Sequence, residues 1–170
     1  MIQIRPVSDL RNKFTEVEKI VEGGEPVYLT KNGYGVMVVL SIEEYSKLTE
    51  RTELRNEFQK LIRVSQAQLQ TNKDAWNVIV VKTAKNHIRY CVCMEKNWEE
   101  DEEAFIQELI RENDMEVRNI VCMANGNSLD PGSYHFKKRL LDICPENADA
   151  IMILQGEFDS AFRTIGSMMP

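Results

Sequence analysis

A two-residue turn between apolar runs is the feature that most restricts the fold of this chain. The segment "PVYLTKNGYGVMVVL" carries Asn32-Gly33 at its centre, and this dipeptide tolerates the positive φ angles of a tight hairpin turn. The flanking runs are rich in β-branched and aromatic residues, which favour strands. The segment therefore predicts an antiparallel hairpin. Its turn begins with a lysine, Lys31, although the chain has a formal net charge of -6.

The residues around the hairpin predict one further strand and two helices. "MIQIRPV" is a short extended segment, and Ser8 can cap a helix that ends at Gly23. Ser41 and Glu44 have the spacing of a capping box, which predicts that a long second helix begins there. The first domain is therefore expected to have the order β-α-β-β-α.

Charge is distributed unevenly along the chain. Residues 1–75 hold 11 Lys+Arg against 11 Asp+Glu, and residues 76–170 hold 10 against 16. A polar stretch, "SQAQLQTNKD", separates a helical pattern from the strand-like "WNVIVVKTA", so we place a domain boundary near residues 71–75. The first domain then covers residues 1–72 and an acidic second domain covers residues 73–170.

The second domain has the pattern of a small α/β sandwich. Four strand-like runs, "NVIVVKT", "IRYCVCM", "EVRNIVCM" and "ADAIMILQG", alternate with two helical patterns, "EEDEEAFIQELIREN" and "YHFKKRLLDIC". This order, ββαβαβ, predicts a sheet covered by helices. The whole chain is therefore expected to be α+β.

Four cysteines lie inside or beside apolar runs, without the dense spacing of a disulfide framework: Cys91, Cys93, Cys122 and Cys144. The C-x-C pair also lacks the C-x₂-C spacing of common zinc sites. No apolar run approaches the roughly 18 to 20 residues of a bilayer span, and the N-terminus has no signal-peptide pattern. We expect a cytoplasmic protein with buried, reduced thiols, no metal and no other cofactor.

A catalytic role for a cysteine would need a neighbouring base, and the sequence offers only His87 and His135. Nothing in their spacing places either histidine beside a thiol, so no catalytic residue is expected. The loop "NGNSLDPGS" precedes a helix and could cradle an anion at the helix N-terminus. An anion site and a plain connecting loop both remain open there.

The N-terminal region resembles the Phd/YefM antitoxins of bacterial type II toxin–antitoxin systems. The resemblance rests on "IRPVSDLRNKFTEVEKIVEGGEPVYLTKNGYGVMVVLSIEEYSKL", with its S-x-x-R helix start, its "LTKNG" turn and the "IEEY" opening of the second helix. It is dense over residues 1–48 and looser to about residue 70. It implies a homodimer that binds operator DNA, represses its own operon and neutralises a cognate toxin by direct binding.

The resemblance also implies a basic DNA-binding surface. Arg11 matches the family's DNA-contacting arginine, and Lys31 stands where the family often has arginine. Lysine can neutralise a phosphate but lacks the planar two-donor fork that reads a guanine edge, so we expect phosphate contact from Lys31. The partial positive charge of a helix N-terminus would add to this surface. The expected DNA-binding residues are Arg5, Arg11, Asn12, Lys13, Lys31 and Asn32.

By the same resemblance, the long second helix would embrace the toxin. Its apolar stripe consists of Leu54, Phe58, Leu61, Ile62 and Leu69, and a groove on a partner protein could cover it. The dimer partner or the second domain could cover it equally well, because periodicity shows that a face is buried without showing against what.

The second domain departs from the family, whose members usually finish in a short flexible tail. Its acidity argues against a fused ribonuclease toxin, which must hold anionic RNA. An acidic run at a helix start could instead dock on a basic toxin; it comprises Glu99, Glu100, Asp101, Glu102 and Glu103.

Two alternatives to a toxin-binding repressor stay open. In the first, the chain is a DNA-binding regulator without a toxin, and its second domain senses a ligand or a protein partner. In the second, an enzyme is attached to a DNA-binding module. We favour the non-enzymatic repressor, because the sequence places no nucleophile beside a base.

Overall fold

The structure is a computed structural model, and it describes residues 2–155 and 161–170. It divides into two compact units, unit 1 (Met1–Arg55) and unit 2 (Asn56–Pro170). The division lies inside the long second helix, whereas the sequence pattern places the boundary near residues 71–75. Each unit has its own sheet, and the predicted α+β class is confirmed.

Unit 1 contains a three-stranded sheet, two short helices and the start of a long helix. Its elements are β1 (Gln3–Pro6), α1 (Asp9–Asn12), α2 (Phe14–Glu22), β2 (Val27–Lys31), β3 (Tyr34–Val39) and α3 (Ile42–Thr71), and α3 continues into unit 2. β1 pairs with β2 in parallel, and β2 pairs with β3 antiparallel. The buried core of unit 1 is formed by Val17, Val21, Val27 and Leu29.

The hairpin turn forms where the sequence predicts it. Asn32 and Gly33 have φ angles of 52° and 81°, in the left-handed region that glycine adopts without steric cost and asparagine tolerates. Lys31 pairs with Tyr34 across the turn. The lysine therefore occupies the last position of β2, directly before the turn.

The first helix differs from the prediction. The apolar pattern predicts one helix from Ser8 to Gly23, but the backbone leaves the helical region at Lys13 (φ -136°, ψ 36°), which separates α1 from α2. The Ser8 side chain makes no capping hydrogen bond. Because α1 is a single turn, it lacks the dipole of a long helix. The expected contribution of that dipole to DNA binding is therefore missing.

The long helix α3 begins at the predicted cap. The Glu44 amide donates a hydrogen bond to Ser41 Oγ at 3.1 Å. The Glu44 carboxylate accepts from Lys47 Nζ at 2.9 Å rather than completing the capping box. Within the described part of the chain, no helix is both long enough and apolar enough to cross a membrane.

Unit 2 is built on a six-stranded sheet in the order β5-β4-β6-β8-β9, with β7 paired to β6. After α3 its elements are β4 (Ala75–Thr83), β5 (Ile88–Met94), α4 (Trp98–Arg111), β6 (Val117–Ala124), β7 (Ser128–Asp130), α5 (Tyr134–Ile143), β8 (Ile151–Leu154) and β9 (Ala161–Thr164). β6 and β8 are parallel. The sequence pattern does not predict β7 or β9. Met1 and Gly156, at the ends of two predicted strands, lie outside the described residues.

Helices cover both faces of the unit 2 sheet. Phe105 and Ile106 of α4 and Phe136 of α5 belong to one core cluster with alternate residues of the strands, such as Ile79 and Cys93. Successive side chains of a strand point to opposite faces, so the equally buried Val78 and Val80 face the other side.

The second half of α3 packs within unit 2. Phe58 and Leu61 have no exposed surface, and the Phe58 ring lies 5.2 Å from the Phe162 ring of β9. Glu57 forms an ion pair with Lys82 of β4. Lys82 is an even-numbered position of β4, on the same face as Val80, so α3 covers the sheet face opposite α4 and α5.

Candidate nucleic-acid interface

The sheet of unit 1 brings two basic segments to one end. Pro6 pairs with Thr30, and the Val7 amide donates to the Thr30 carbonyl at 2.8 Å. The end of β1 therefore lies beside the end of β2. Because α1 follows β1 and the turn follows β2, Arg11 and Lys31 belong to the same end of the sheet.

Three cations at this end are exposed: Arg11, Lys13 and Lys31. Arg11 Nε donates to the neighbouring Asn12 Oδ1 at 3.2 Å. Among the residues that the structure describes, no carboxylate forms an ion pair with any of the three. Their charges are therefore available to phosphate groups, and a local field of this kind does not depend on the acidity of the whole chain.

Arg5 differs from these three cations. Its Nη1 atom lies 3.8 Å from Asp9 Oδ2 and 3.6 Å from Glu16 Oε2. The two carboxylates belong to α1 and α2, so the arginine links β1 to both helices. Its charge is already balanced, and this makes Arg5 the weakest member of the predicted DNA-binding set.

A large apolar surface of unit 1 is exposed, and no motif in the sequence marks it. No residue of β3 is buried, although the strand carries Tyr34, which is 78% exposed. At the start of α3, Ile42 is 86% exposed and Tyr45 is 64% exposed. Large apolar side chains exposed together on a strand are uncommon on monomeric proteins and mark interaction sites.

Only part of the predicted toxin-binding stripe of α3 is accessible in the structure. Phe58, Leu61 and Leu69 are buried within unit 2, as in the alternative that the second domain covers the stripe. These three side chains are therefore not available to a partner. Leu54 and Ile62 are half-buried and keep part of their surface accessible.

The acidic run at the start of α4 is also divided. Glu99 and Glu100 are exposed. Asp101 Oδ2 accepts a hydrogen bond from the Met94 amide at 2.8 Å, which ties the helix start to the end of β5. The run is therefore not a uniform solvated face, and two of its five carboxylates are freely presented.

The remaining two carboxylates of the run hold α4 against α5. Glu102 is only 1% exposed, accepts from Ser133 Oγ at 2.7 Å, and has its pKa raised by burial. Glu103 accepts two hydrogen bonds from Arg139, at 2.8 Å and 2.9 Å. The Arg139 guanidinium lowers the pKa of Glu103 to about 2.

The histidines and cysteines of unit 2 lie in separate environments. His87 Nδ1 lies 2.8 Å from Asp114 Oδ2, and the pKa of Asp114 is lowered by its hydrogen-bond partners although burial opposes this. His135 Nε2 lies 3.7 Å from Glu103 Oε2. Within the described ranges, neither ring is hydrogen-bonded to a thiol, so no cysteine is paired with a histidine base there.

Comparison with known proteins agrees with the sequence pattern of unit 1. Residues 2–68 match the family model described as "Antitoxin Phd_YefM, type II toxin-antitoxin system". Residues 2–68 are therefore similar to the Phd/YefM antitoxins. The predicted resemblance is therefore confirmed over residues 2–68, and the match ends before β4. No curated protein sequence matches the chain.

A solved structure resembles a larger part of the chain. The crystal structure of the cytidine deaminase from Bacillus anthracis superposes with a TM-score of 0.50 and 14% sequence identity, over 66% of this chain and 86% of that chain. The matched share exceeds the length of unit 1, so the likeness includes part of unit 2. At this identity it concerns the fold alone.

The residues of unit 2 do not fit the zinc centre of a nucleobase deaminase. Zinc deaminases hold the metal with histidine and cysteine ligands in an H-x-E…P-C-x-x-C pattern, and neither half of that pattern occurs in the sequence. Cys91 and Cys93 lie on β5 and Cys122 on β6, inside the core. In residues 2–155 and 161–170, no group of three His, Cys, Asp or Glu side chains converges to hold a metal ion.

Proposed function

We propose that this chain is an antitoxin-like transcriptional repressor that binds operator DNA as a homodimer and neutralises a cognate toxin by direct contact. The Phd/YefM match over residues 2–68 supports a role in a type II toxin–antitoxin system. The observation that carries the rest is the exposed basic end of the unit 1 sheet, where Arg11, Lys13 and Lys31 have no ion-pair partner among the described residues.

The homodimer is supported by the exposed apolar surface of unit 1. β3 pairs only with β2 among the described strands, and its side chains are exposed on both faces. A second copy can cover this surface through a two-fold interface, because the same patch then meets itself. Dimer formation would also double the basic surface and present two equivalent sites to the two halves of an operator.

The DNA contacts divide into two kinds. Arg11 carries the forked guanidinium that can read a guanine edge or clasp a phosphate. Lys13 and Lys31 offer single point charges, which suit the phosphate backbone. Asn12 and Asn32 are exposed beside these cations and can hydrogen-bond to phosphate or base edges. Arg5 serves chiefly to hold β1 against the two helices.

The toxin contact is proposed for the exposed part of α3 that precedes its buried half. Leu48, Arg51, Thr52 and Arg55 line a shallow groove of about 230 Å³, and Leu54 is half-buried beside it. Glu99 and Glu100 remain available for a basic partner. The other three carboxylates of that acidic run are used inside unit 2.

One observation favours the alternative of a regulator without a toxin. Unit 2 is a helix-covered sheet with its own core, and the likeness to a cytidine deaminase structure includes part of it, where short flexible tails are usual in the Phd/YefM family. A domain of this size can carry a ligand site of its own. We still propose a non-enzymatic protein, because the sequence lacks the zinc-deaminase pattern.

Growth rescue and a promoter reporter test the two halves of the proposal separately. Co-expression of this chain should restore growth to cells that produce the small protein encoded beside it, and the chain should repress a reporter placed behind its own promoter. The Arg11→Ala variant should lose repression and keep growth rescue. Rescue without repression by the unaltered chain would contradict the repressor half, and repression without rescue would contradict the antitoxin half.

A further inference from the structure

Two cysteine thiols of unit 2 are in direct contact. The C-x-C spacing on β5 places both side chains on the same face of the strand, and the Sγ atoms of Cys91 and Cys93 lie 3.6 Å apart. Cys91 Sγ also lies 3.4 Å from the Asp101 carbonyl oxygen. The side chains therefore point toward each other, at the place where α4 crosses the edge strand of the sheet.

The pair can be reached from solvent through Cys91. This residue keeps 9% of its surface exposed, whereas Cys93 is fully buried. Cys91 lines an open pocket of about 220 Å³ together with Tyr90, Asp101 and Phe105. A small ion that enters this pocket reaches Cys91 first, and the Cys93 sulfur is the direct neighbour of the Cys91 sulfur.

The geometry points to a site for a soft monovalent metal cation, and we propose that Cys91 and Cys93 together bind one Cu(I) ion. Zinc in structural sites requires four ligands, and in the described part of the chain no third His, Cys, Asp or Glu converges on the pair. Soft thiolate ligands select Cu(I), which two sulfurs in a roughly linear arrangement can satisfy. Rotation of the two side chains about their Cα–Cβ bonds adjusts the sulfur separation without moving β5.

Binding exchanges protons for the cation and transfers no electrons. Two Cys–SH groups and one Cu⁺ give a bis-thiolate complex, Cu(S-Cys)₂⁻, and release two H⁺ to solvent. The proposal concerns this site alone and does not depend on DNA or toxin binding.

A disulfide between the same residues fits the strand less well. Two rises along an extended strand separate the Cα atoms of positions 91 and 93 by about 6.6 Å. Disulfides span about 4.4–6.8 Å, most often about 5.5–6 Å. The separation lies near the upper limit of that range, so closing the bond at its usual geometry would draw the two Cα atoms closer together, which a longer metal bridge does not require.

Competition for Cu(I) against the chelator bicinchoninate tests the proposal on the full-length reduced chain without oxygen. We expect one Cu(I) per chain to be withdrawn from the chelator. Cys91→Ser should weaken binding at least tenfold, and Cys144→Ser, which removes a thiol elsewhere in unit 2, should leave it unchanged. No withdrawal of Cu(I), or equal loss in both variants, would overturn the proposal.

Alkylation of the unaltered chain avoids any question of whether a variant folds. One equivalent of Cu(I) should slow the reaction of Cys91 with iodoacetamide at least tenfold, as followed by mass spectrometry of peptides. Cys144, which is half-buried, should react at its original rate. Equal protection of Cys144, or no protection of Cys91, would show that the ion does not bind at the pair.

Discussion

Arg139 of α5 clasps Glu103 of α4 through two parallel hydrogen bonds, Nε to Oε2 at 2.8 Å and Nη2 to Oε1 at 2.9 Å. Paired contacts of this kind fix both position and orientation. Together with the bond from Ser133 to Glu102, they join the two helices that cover one face of the unit 2 sheet. Most acidic side chains at the start of α4 therefore make contacts within unit 2.

This clasp predicts a pH-dependent stability. The hydrogen bonds from Arg139 lower the pKa of Glu103 from 4.5 to about 2, so the ionised carboxylate stabilises the folded state above pH 4.5, and this contribution is lost as the pH falls toward 2. Glu103→Gln should therefore have a smaller free energy of unfolding than the unaltered chain at pH 7, and the difference should shrink below pH 4.5. Denaturant titrations at pH 7 and pH 3 measure it.

The exposed Glu100 supplies the control for this prediction. Glu100→Gln removes the same charge from the same helix, one turn's distance or less from the clasp, and should change the stability little at either pH. An equal loss in both variants would mean that the clasp contributes nothing beyond the helix dipole.

Burial of Phe58 predicts that the second half of α3 belongs to the core of unit 2. Phe58→Ala removes a fully buried ring that lies against Phe162 and should lower the free energy of unfolding by about 3–5 kcal/mol. The exposed neighbour Gln59 is the control, and Gln59→Ala should change stability by less than about 0.5 kcal/mol. If Phe58→Ala kept the stability of the unaltered chain and lost only toxin binding, Phe58 would belong to the toxin-binding surface and not to the core of unit 2.

How far the sequence predicts this fold depends on whether the signal is local. Asn32-Gly33 identifies the hairpin because positive φ angles are required at that turn. The break at Lys13 has no such signal, because the apolar periodicity continues across it. β7 and β9 have three and four residues, too few for a recognisable alternation.

The site residues show the same limit. The family pattern leads to Arg11 and Lys31, but the ion pairs that balance Arg5 join segments that only the fold brings together. The apolar stripe of α3 is visible in the sequence, whereas the surface that covers it is not. The burial of Glu102 could be predicted, because it precedes Phe105, Ile106 and Leu109 by three, four and seven residues and so shares their helix face.

The exposed surface of β3 predicts a dimer that two charges can disrupt. Val36→Lys combined with Val38→Lys places two cations on the strand that a second copy would cover, and should convert the dimer to a monomer in size-exclusion chromatography with light scattering. Circular dichroism should show an unchanged fold.

An equivalent change outside this surface is the control for the dimer prediction. Ile110 is 38% exposed on α4, and Ile110→Lys should leave the dimer intact. A monomeric unaltered chain, or a dimer that survives both changes in β3, would place the interface elsewhere.

The most direct test of the account is binding of the full chain to its own promoter DNA at two salt concentrations, beside Arg11→Ala and the control Lys19→Ala. Both variants remove one exposed cation from unit 1, but only Arg11 lies at the basic end of the sheet. We expect specific binding that weakens as salt rises, and at least a tenfold loss with Arg11→Ala against little change with Lys19→Ala. Binding that is absent, or equally weakened by both variants, would contradict an operator-binding role for this end of unit 1.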